Sequence, residues 1–254
     1  MTRDAMFLVD ALRDPASTGG LDADGWTALL AMARAEQLIG TLARRLAGLP
    51  MPEAVARILA EARVNAEYQR RSALWEADCA RRALADYKGR VVLMKGTAYA
   101  AAGLKASEGR HIGDLDIMVA REDLPQVEAA LLAAGWEWVK PDPYDDAYYR
   151  DHMHELPPLI HKERDRMIDV HHTILPLTAR PKPDAAAMLG DAEFLPGTGR
   201  GTAAVGGGGG AQADSRAAES IGEPSCTPPP SFGWSPSPCR GGLHVFSPTD
   251  MVIH

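Results

Sequence analysis

Leu29, Leu30, Ala33, Leu38, Leu42 and Leu46 recur at the three- and four-residue spacing of a helix face, and Asp22 or Asp24 can cap the start of that helix. Gly48-Leu49-Pro50-Met51-Pro52 interrupts the pattern. It restarts from Glu53 to Arg63, with Val55, Ile58, Leu59 and Ala62 on one face. A third helix is predicted to carry Tyr68, Trp75, Cys79, Leu84 and Tyr87 and to end near Gly89. Residues 1–88 therefore read as a helical N-terminal region. Arg63, Arg70, Arg71, Arg81 and Arg82 fall on its polar faces, as a solvated helix surface requires.

From Arg90 the period shortens. Arg90-Val91-Val92-Leu93-Met94 has the length and apolarity of a buried strand. Lys95-Gly96-Thr97 then turns into an alanine-rich helix, Ala98 to Leu104, followed by a polar loop from Lys105 to Gly113. Leu115 to Val119 is a strand and Asp123 to Ala134 a helix, stopped by Gly135. Trp136 to Val139 reads as a strand and Pro141 to Asp151 as a loop. Leu156 to His161 and Met167 to Ile174 form a hairpin around Lys162-Glu163-Arg164-Asp165. This order predicts an α/β (α+β) core with a mixed sheet over residues 89–190.

Beyond it the pattern fades. Residues 191–242 include Gly206 to Gly210, Pro228 to Pro230, scattered serines and few aliphatic side chains, too little apolar surface to offset chain entropy. Disorder is the expectation there. Residues 243–254 resume ordinary globular texture and read as the start of a truncated C-terminal segment.

Composition narrows the function classes. With 254 residues and 46% hydrophobic content the chain can build a sizeable core. A net charge of −7 argues against wrapping an extended nucleic acid through a broad basic surface. Cys79, Cys226 and Cys239 form no C-x-x-C pair, and the first residues lack the apolar run of a secretory signal. No stretch is long and apolar enough to span a membrane. These features predict a soluble, cytoplasmic protein.

The chemistry gathers around Gly113-Asp114-Leu115-Asp116-Ile117-Met118-Val119. Side chains alternate along a strand, so Asp114 and Asp116 share one face with Cα atoms roughly 6–7 Å apart, while Leu115, Ile117 and Val119 enter a core. Two ionised carboxylates that close call for a cation. A third acid, Asp169, lies in Met167-Ile168-Asp169-Val170-His171-His172, sharing a face with His171. Upstream, the backbone N–H groups at Gly96-Thr97 open a helix and suit a phosphate. Three carboxylates beside such a turn can hold the Mg2+ (or Mn2+) ions of an in-line phosphoryl or nucleotidyl transfer. Lys95 and Arg110 are candidates for phosphate contact, and His171 for a contact to the acids or substrate. His152, His154, His161, His171 and His172 show no zinc-binding spacing and no supporting cysteine. Trp136, Trp138, Tyr144, Tyr148 and Tyr149 fit core packing or loop anchoring better than base stacking.

These motifs resemble a known group. Leu93-Met94-Lys95-Gly96-Thr97-Ala98, Arg110-His111-Ile112-Gly113-Asp114-Leu115-Asp116-Ile117-Met118-Val119, Ala133-Ala134-Gly135-Trp136 and Ile168-Asp169-Val170-His171 together are similar to the uncharacterised nucleotidyltransferase family of bacteria, within the DNA polymerase beta-like nucleotidyltransferase superfamily. The resemblance covers roughly residues 20–190, with a return at 243–254. It implies that Gly96 and Thr97 touch nucleotide phosphates, that Asp114 and Asp116 are the metal-binding pair, and that Asp169 is the third carboxylate, which helps position the acceptor hydroxyl. Lys95, Arg110 and His171 also recur in its motifs. Thr97 stands where the superfamily has Gly or Ser, and the loop from Thr97 to Asp114 is longer than in many relatives.

The expected activity is metal-dependent transfer of a nucleoside monophosphate from an NTP to an unidentified acceptor hydroxyl. The rival readings are a non-catalytic nucleotide- or protein-binding module on the same fold and a phosphohydrolase using the same acids.

Overall fold

The computed structural model describes residues 3–194 and 244–245. Residues 191–194, expected at the start of the disordered stretch, are instead ordered as the end of a helix and a short strand, Glu193–Phe194; the rest of that stretch and most of the segment after it lie outside these residues. Four helices come first: α1 (Arg3–Arg13), α2 (Ala23–Ala35), α3 (Ile39–Arg45) and α4 (Glu53–Ala83). Asp22 caps α2 by accepting from the Gly25 N–H at 2.9 Å. The sequence reading runs one helix through Leu46, but Gln37 takes a left-handed φ of 56° and ends α2. The Leu38 N–H bonds to Ala33 O and the Gln37 N–H to Arg34 O, the pairing of a Schellman stop. A non-glycine stop carries no obvious sequence mark. In the opposite sense, the two helices expected between Glu53 and Tyr87 are one, α4, because no Gly or Pro interrupts it.

The rest is a sheet with helices: β1 (Val92–Leu93), α5 (Lys95–Ala101), β2 (Leu115–Met118), α6 (Leu124–Ala133), β3 (Trp136–Trp138), α7 (Pro143–His152), β4 (Leu159–His161), β5 (Met167–His171), α8 (Ala185–Asp191), β6 (Glu193–Phe194) and β7 (His244–Val245). The mixed sheet has the order β3-β4-β5-β2-β1-β7-β6. β2 and β5 are parallel neighbours, while β1 runs antiparallel to β2 on its other side. Gly135, at φ 100°, stops α6 as its sequence position predicts. α7 replaces an expected loop. Pro143 supplies a preset first helical residue, and Asp142 accepts from the N–H groups of Tyr144 (2.9 Å) and Asp145 (3.3 Å). His244–Val245 returns to pair in parallel with β1.

Two large hydrophobic cores result, with a small third cluster of Ala73, Ala100 and Ile112. Leu29, Leu42, Leu46 and Leu59 centre the helical one. Leu93, Ile117, Val119, Leu131, Leu159, Ile168 and Val170 centre the one around the sheet. α4 joins them: Val55 and Leu59 near its start pack in the first, Ala77, Cys79 and Ala80 near its end in the second. Glu76 of α4 also forms a buried ion pair with Arg164 of the β4–β5 turn, at 3.0 Å. The Arg164 guanidinium stacks 4.7 Å from the Trp136 ring centre. Among the described residues, no helix is long and apolar enough to cross a membrane.

Candidate functional site

Leu115, Ile117 and Val119 lie in the core, and Asp116, though buried within the same strand, joins Asp114 in an acidic cluster. The parallel β2–β5 register then sets Asp116 directly beside Asp169 and Met118 beside His171. One carboxylate oxygen from each of Asp114, Asp116 and Asp169 lies within 4.8 Å of the others. All the donors are hard oxygens, the ligand type of Mg2+ or Mn2+. Asp169 Oδ1 is buried and has no hydrogen-bond partner among the described residues, so the trio retains acceptor capacity that a cation fits.

The trio's members differ electrostatically. Burial and the negative charges of Glu155, Asp116 and Asp114 push the Asp169 carboxyl up to about 6. Burial acts on Asp116 in the same direction, but hydrogen bonds from His171 and Lys95 overcome it and hold that carboxyl below its ordinary value. Lys95 Nζ lies 2.5 Å and His171 Nε2 3.0 Å from the same oxygen, Asp116 Oδ1. Lys95 is correspondingly raised: burial opposes its charge, but the hydrogen bond and attraction to Asp116 prevail.

The turn before α5 differs from expectation in which residue takes the unusual backbone. Lys95 has φ 47°, a left-handed conformation that costs a side-chain-bearing residue about 1 kcal/mol or more. Gly96 matters through space instead. A Cβ there would sit 3.2 Å from Arg110 Nε and from Ile112 Cγ1. Thr97 is buried and its hydroxyl has no partner among the described residues. Ala98 N–H is the first to bond within this turn, to Met94 O at 3.1 Å.

Arg110 is exposed, its guanidinium 5.3 Å from the Tyr99 ring centre. It is carried by a loop that touches α3 where two glycines meet. A Cβ on Gly40 would lie 2.4 Å from Gly109 O, and one on Gly109 2.4 Å from Gly40 O. Lys95 and Arg110 line a cavity of about 260 Å³ with Met94, His154, His171 and Ile174. The three acids, the Lys95–Thr97 turn, Arg110 and His171 thus meet in one region.

Glu155, which carries no mark in the sequence, and His154, set aside there as a ligand, also belong to this region. β4 and β5 pair at Leu159↔Ile168, yet Glu155 bridges His171, so four residues on one strand span three on the other. This is a bulge. Pro157 and Pro158 fall inside it, where neither can donate to a ladder. The bulge brings Glu155 Oε2 to 3.2 Å from His171 Nδ1 and 3.7 Å from His154 Nε2. The Pro-Pro pair marks an irregularity in sequence, but nothing there says which neighbour it delivers.

The other candidates lie elsewhere. His152 is exposed on α7, and His161 is buried with its ring edge-on to Trp136 at 4.9 Å. Trp136 is in the core, while Trp138 donates to Glu128 at 2.9 Å. The helix arginines pair locally: Arg70 and Arg71 with Glu67, Arg81 and Arg82 with Asp78.

The sequence model of a family described as uncharacterised nucleotidyltransferase matches residues 22–201, most of the chain. No curated protein and no solved structure matches it.

Proposed function

Since the chain belongs to the uncharacterised nucleotidyltransferase family, we propose that it moves a nucleoside monophosphate from an NTP to an acceptor hydroxyl and releases pyrophosphate. The observation that carries this reading is the convergence of Asp114, Asp116 and Asp169, through the β2–β5 register, beside a cavity bearing Lys95 and Arg110.

Asp114, Asp116 and Asp169 would hold Mg2+ or Mn2+, which when bound neutralises phosphate charge and makes the acceptor hydroxyl more acidic. Lys95 and Arg110 face the cavity as cations and bind the triphosphate, Arg110 with a planar fork suited to two phosphate oxygens. The first backbone N–H groups of α5, at Lys95, Gly96 and Thr97, add donors on the same side. His171 donates to Asp116 Oδ1 and holds that carboxylate in place. The Asp169 carboxylate would also position the acceptor hydroxyl. The hydroxyl oxygen attacks the α-phosphorus, its proton passes to Asp169, and the bond to pyrophosphate breaks. Catalysis on this reading is positioning and charge neutralisation.

The test is incubation with α-labelled NTPs, Mg2+ and a panel of small alcohols, sugars, proteins and RNA ends. Wild type transfers label and releases pyrophosphate. Asp114→Ala/Asp116→Ala loses at least about 1,000-fold, as expected when the charge-stabilising groups are removed. Equal transfer by both proteins rules the site out, and release of inorganic phosphate instead of pyrophosphate makes the protein a phosphohydrolase.

A further inference from the structure

We propose that His154, Glu155 and His171 form a second metal site, of the zinc type, beside the carboxylate trio and separate from it. One ligand atom from each lies within 4.8 Å of the others. Ligands about 2.0–2.1 Å from a tetrahedral zinc ion stand about 3.3–3.4 Å apart. Glu155 Oε2 is 3.2 Å from His171 Nδ1 and 3.7 Å from His154 Nε2, close to that spacing before any ion draws them in.

His171 supplies the second, independent observation. It is 1% exposed, and its Nδ1 makes no hydrogen bond among the described residues although a carboxylate oxygen lies 3.2 Å away. Its other nitrogen, Nε2, is engaged at 3.0 Å by Asp116 Oδ1. A neutral imidazole donating through Nε2 turns the Nδ1 lone pair toward Glu155, where two acceptors face each other and a cation resolves the conflict. A metal-bound histidine whose far nitrogen donates to a carboxylate is the usual arrangement around zinc.

The donor set also separates the two sites. Two imidazoles and one carboxylate suit a borderline transition metal, whereas three carboxylates suit Mg2+. Three protein ligands leave a fourth position, and His154 and His171 both line the cavity, so that position opens where substrate would lie. The backbone holds the ligands in register: Leu156 N–H bonds to Val170 O and His172 N–H to His154 O, each at 2.9 Å. Because Asp116 is shared through His171, zinc binding orients a member of the acidic trio. The site itself does not depend on nucleotide chemistry.

The experiment loads the metal-free full chain with Co2+ and then Zn2+. The expected result is one tight equivalent of Co2+ with the intense visible bands of a four-coordinate ion, displaced by Zn2+. His154→Ala and Glu155→Gln each weaken binding by about 100-fold or more, while Asp114→Asn keeps it. Zinc-edge X-ray absorption of the wild type, which needs no variant to fold, should show two imidazoles in the first shell. An all-oxygen shell, absence of the four-coordinate spectrum, or equal loss with Asp114→Asn overturns the proposal. In the first and last cases the ion sits in the acidic trio; in the second, His171 is a doubly paired imidazolium.

Discussion

Two neighbouring aspartates in this cluster have their carboxyls shifted in opposite directions by their surroundings. Asp116 gains donors from Lys95 and His171, so its depressed carboxyl contributes stability above the ordinary carboxylate range, lost as pH falls through its folded value. Asp169 gains no such donors, and its carboxyl is raised from 3.8 to about 6. The folded protein therefore binds that proton more tightly than the unfolded chain, and stability declines as pH rises from about 4 to about 6. At pH 8 the buried charge costs on the order of 2–3 kcal/mol, at 1.36 kcal/mol per pH unit. Asp169→Asn should accordingly raise the thermal midpoint at pH 8, change it little at pH 5, and abolish transfer. Calorimetry at the two pH values checks this; an unchanged midpoint at pH 8 removes the case for a strained acid. Lys95 adds strain of another kind, in a left-handed backbone that its ion pair to Asp116 helps hold.

Among the elements, the loop between α5 and β2 is fixed from outside the sheet. Gly40, on a buried face of α3, lets the Gly109 carbonyl approach so closely that a methyl group would stand 2.4 Å from it. Gly40→Ala must push backbone against backbone, and overpacking of this sort costs about 1–3 kcal/mol. The expected outcome is a lower denaturant midpoint with an unchanged slope, and weaker NTP binding as Arg110 moves with its loop. Wild-type NTP affinity in a folded Gly40→Ala protein would mean that Arg110 does not depend on this contact. The β4–β5 bulge is the other element that matters. Without its extra residue, strand alternation would direct Glu155 away from the face that carries His171.

For the molecule as a whole, α4 couples two cores, and the carboxylate cluster belongs to the sheet half. A ligand that binds only the folded protein stabilises it by about 2.7 kcal/mol at one hundred times its dissociation constant. Mn2+ with a non-hydrolysable NTP should thus raise the thermal midpoint of the wild type, and Asp114→Ala/Asp116→Ala should remove that shift while still unfolding cooperatively. A retained shift in the double variant would move the cation elsewhere. On a chain of net charge −7 the cavity carries two exposed cations, Arg110 and Lys95, the latter paired with Asp116 of the acidic cluster.

Much of this was legible along the chain because it depends on local periods. The two-residue repeat of a strand alone puts Asp114 and Asp116 on one face and Ile117 in the core. Gly135 alone marks the end of α6, since only a residue tolerant of positive φ ends a helix so cheaply. The motif resemblance likewise rests on short runs of neighbours. What the chain could not disclose depends on contacts between distant segments. Asp169 joins the pair only because β5 lies parallel to β2 in one register, which packing of both strands' buried faces selects. Gln37 ends a helix by geometry with no residue signature, and α4 continues where apolar spacing suggested a break. His154 and Glu155 reach His171 through a bulge whose partner strand comes later in sequence. Periodicity is a property of neighbours along the chain and can be read there; register and bulge delivery are decided only when remote side chains compete for the same core.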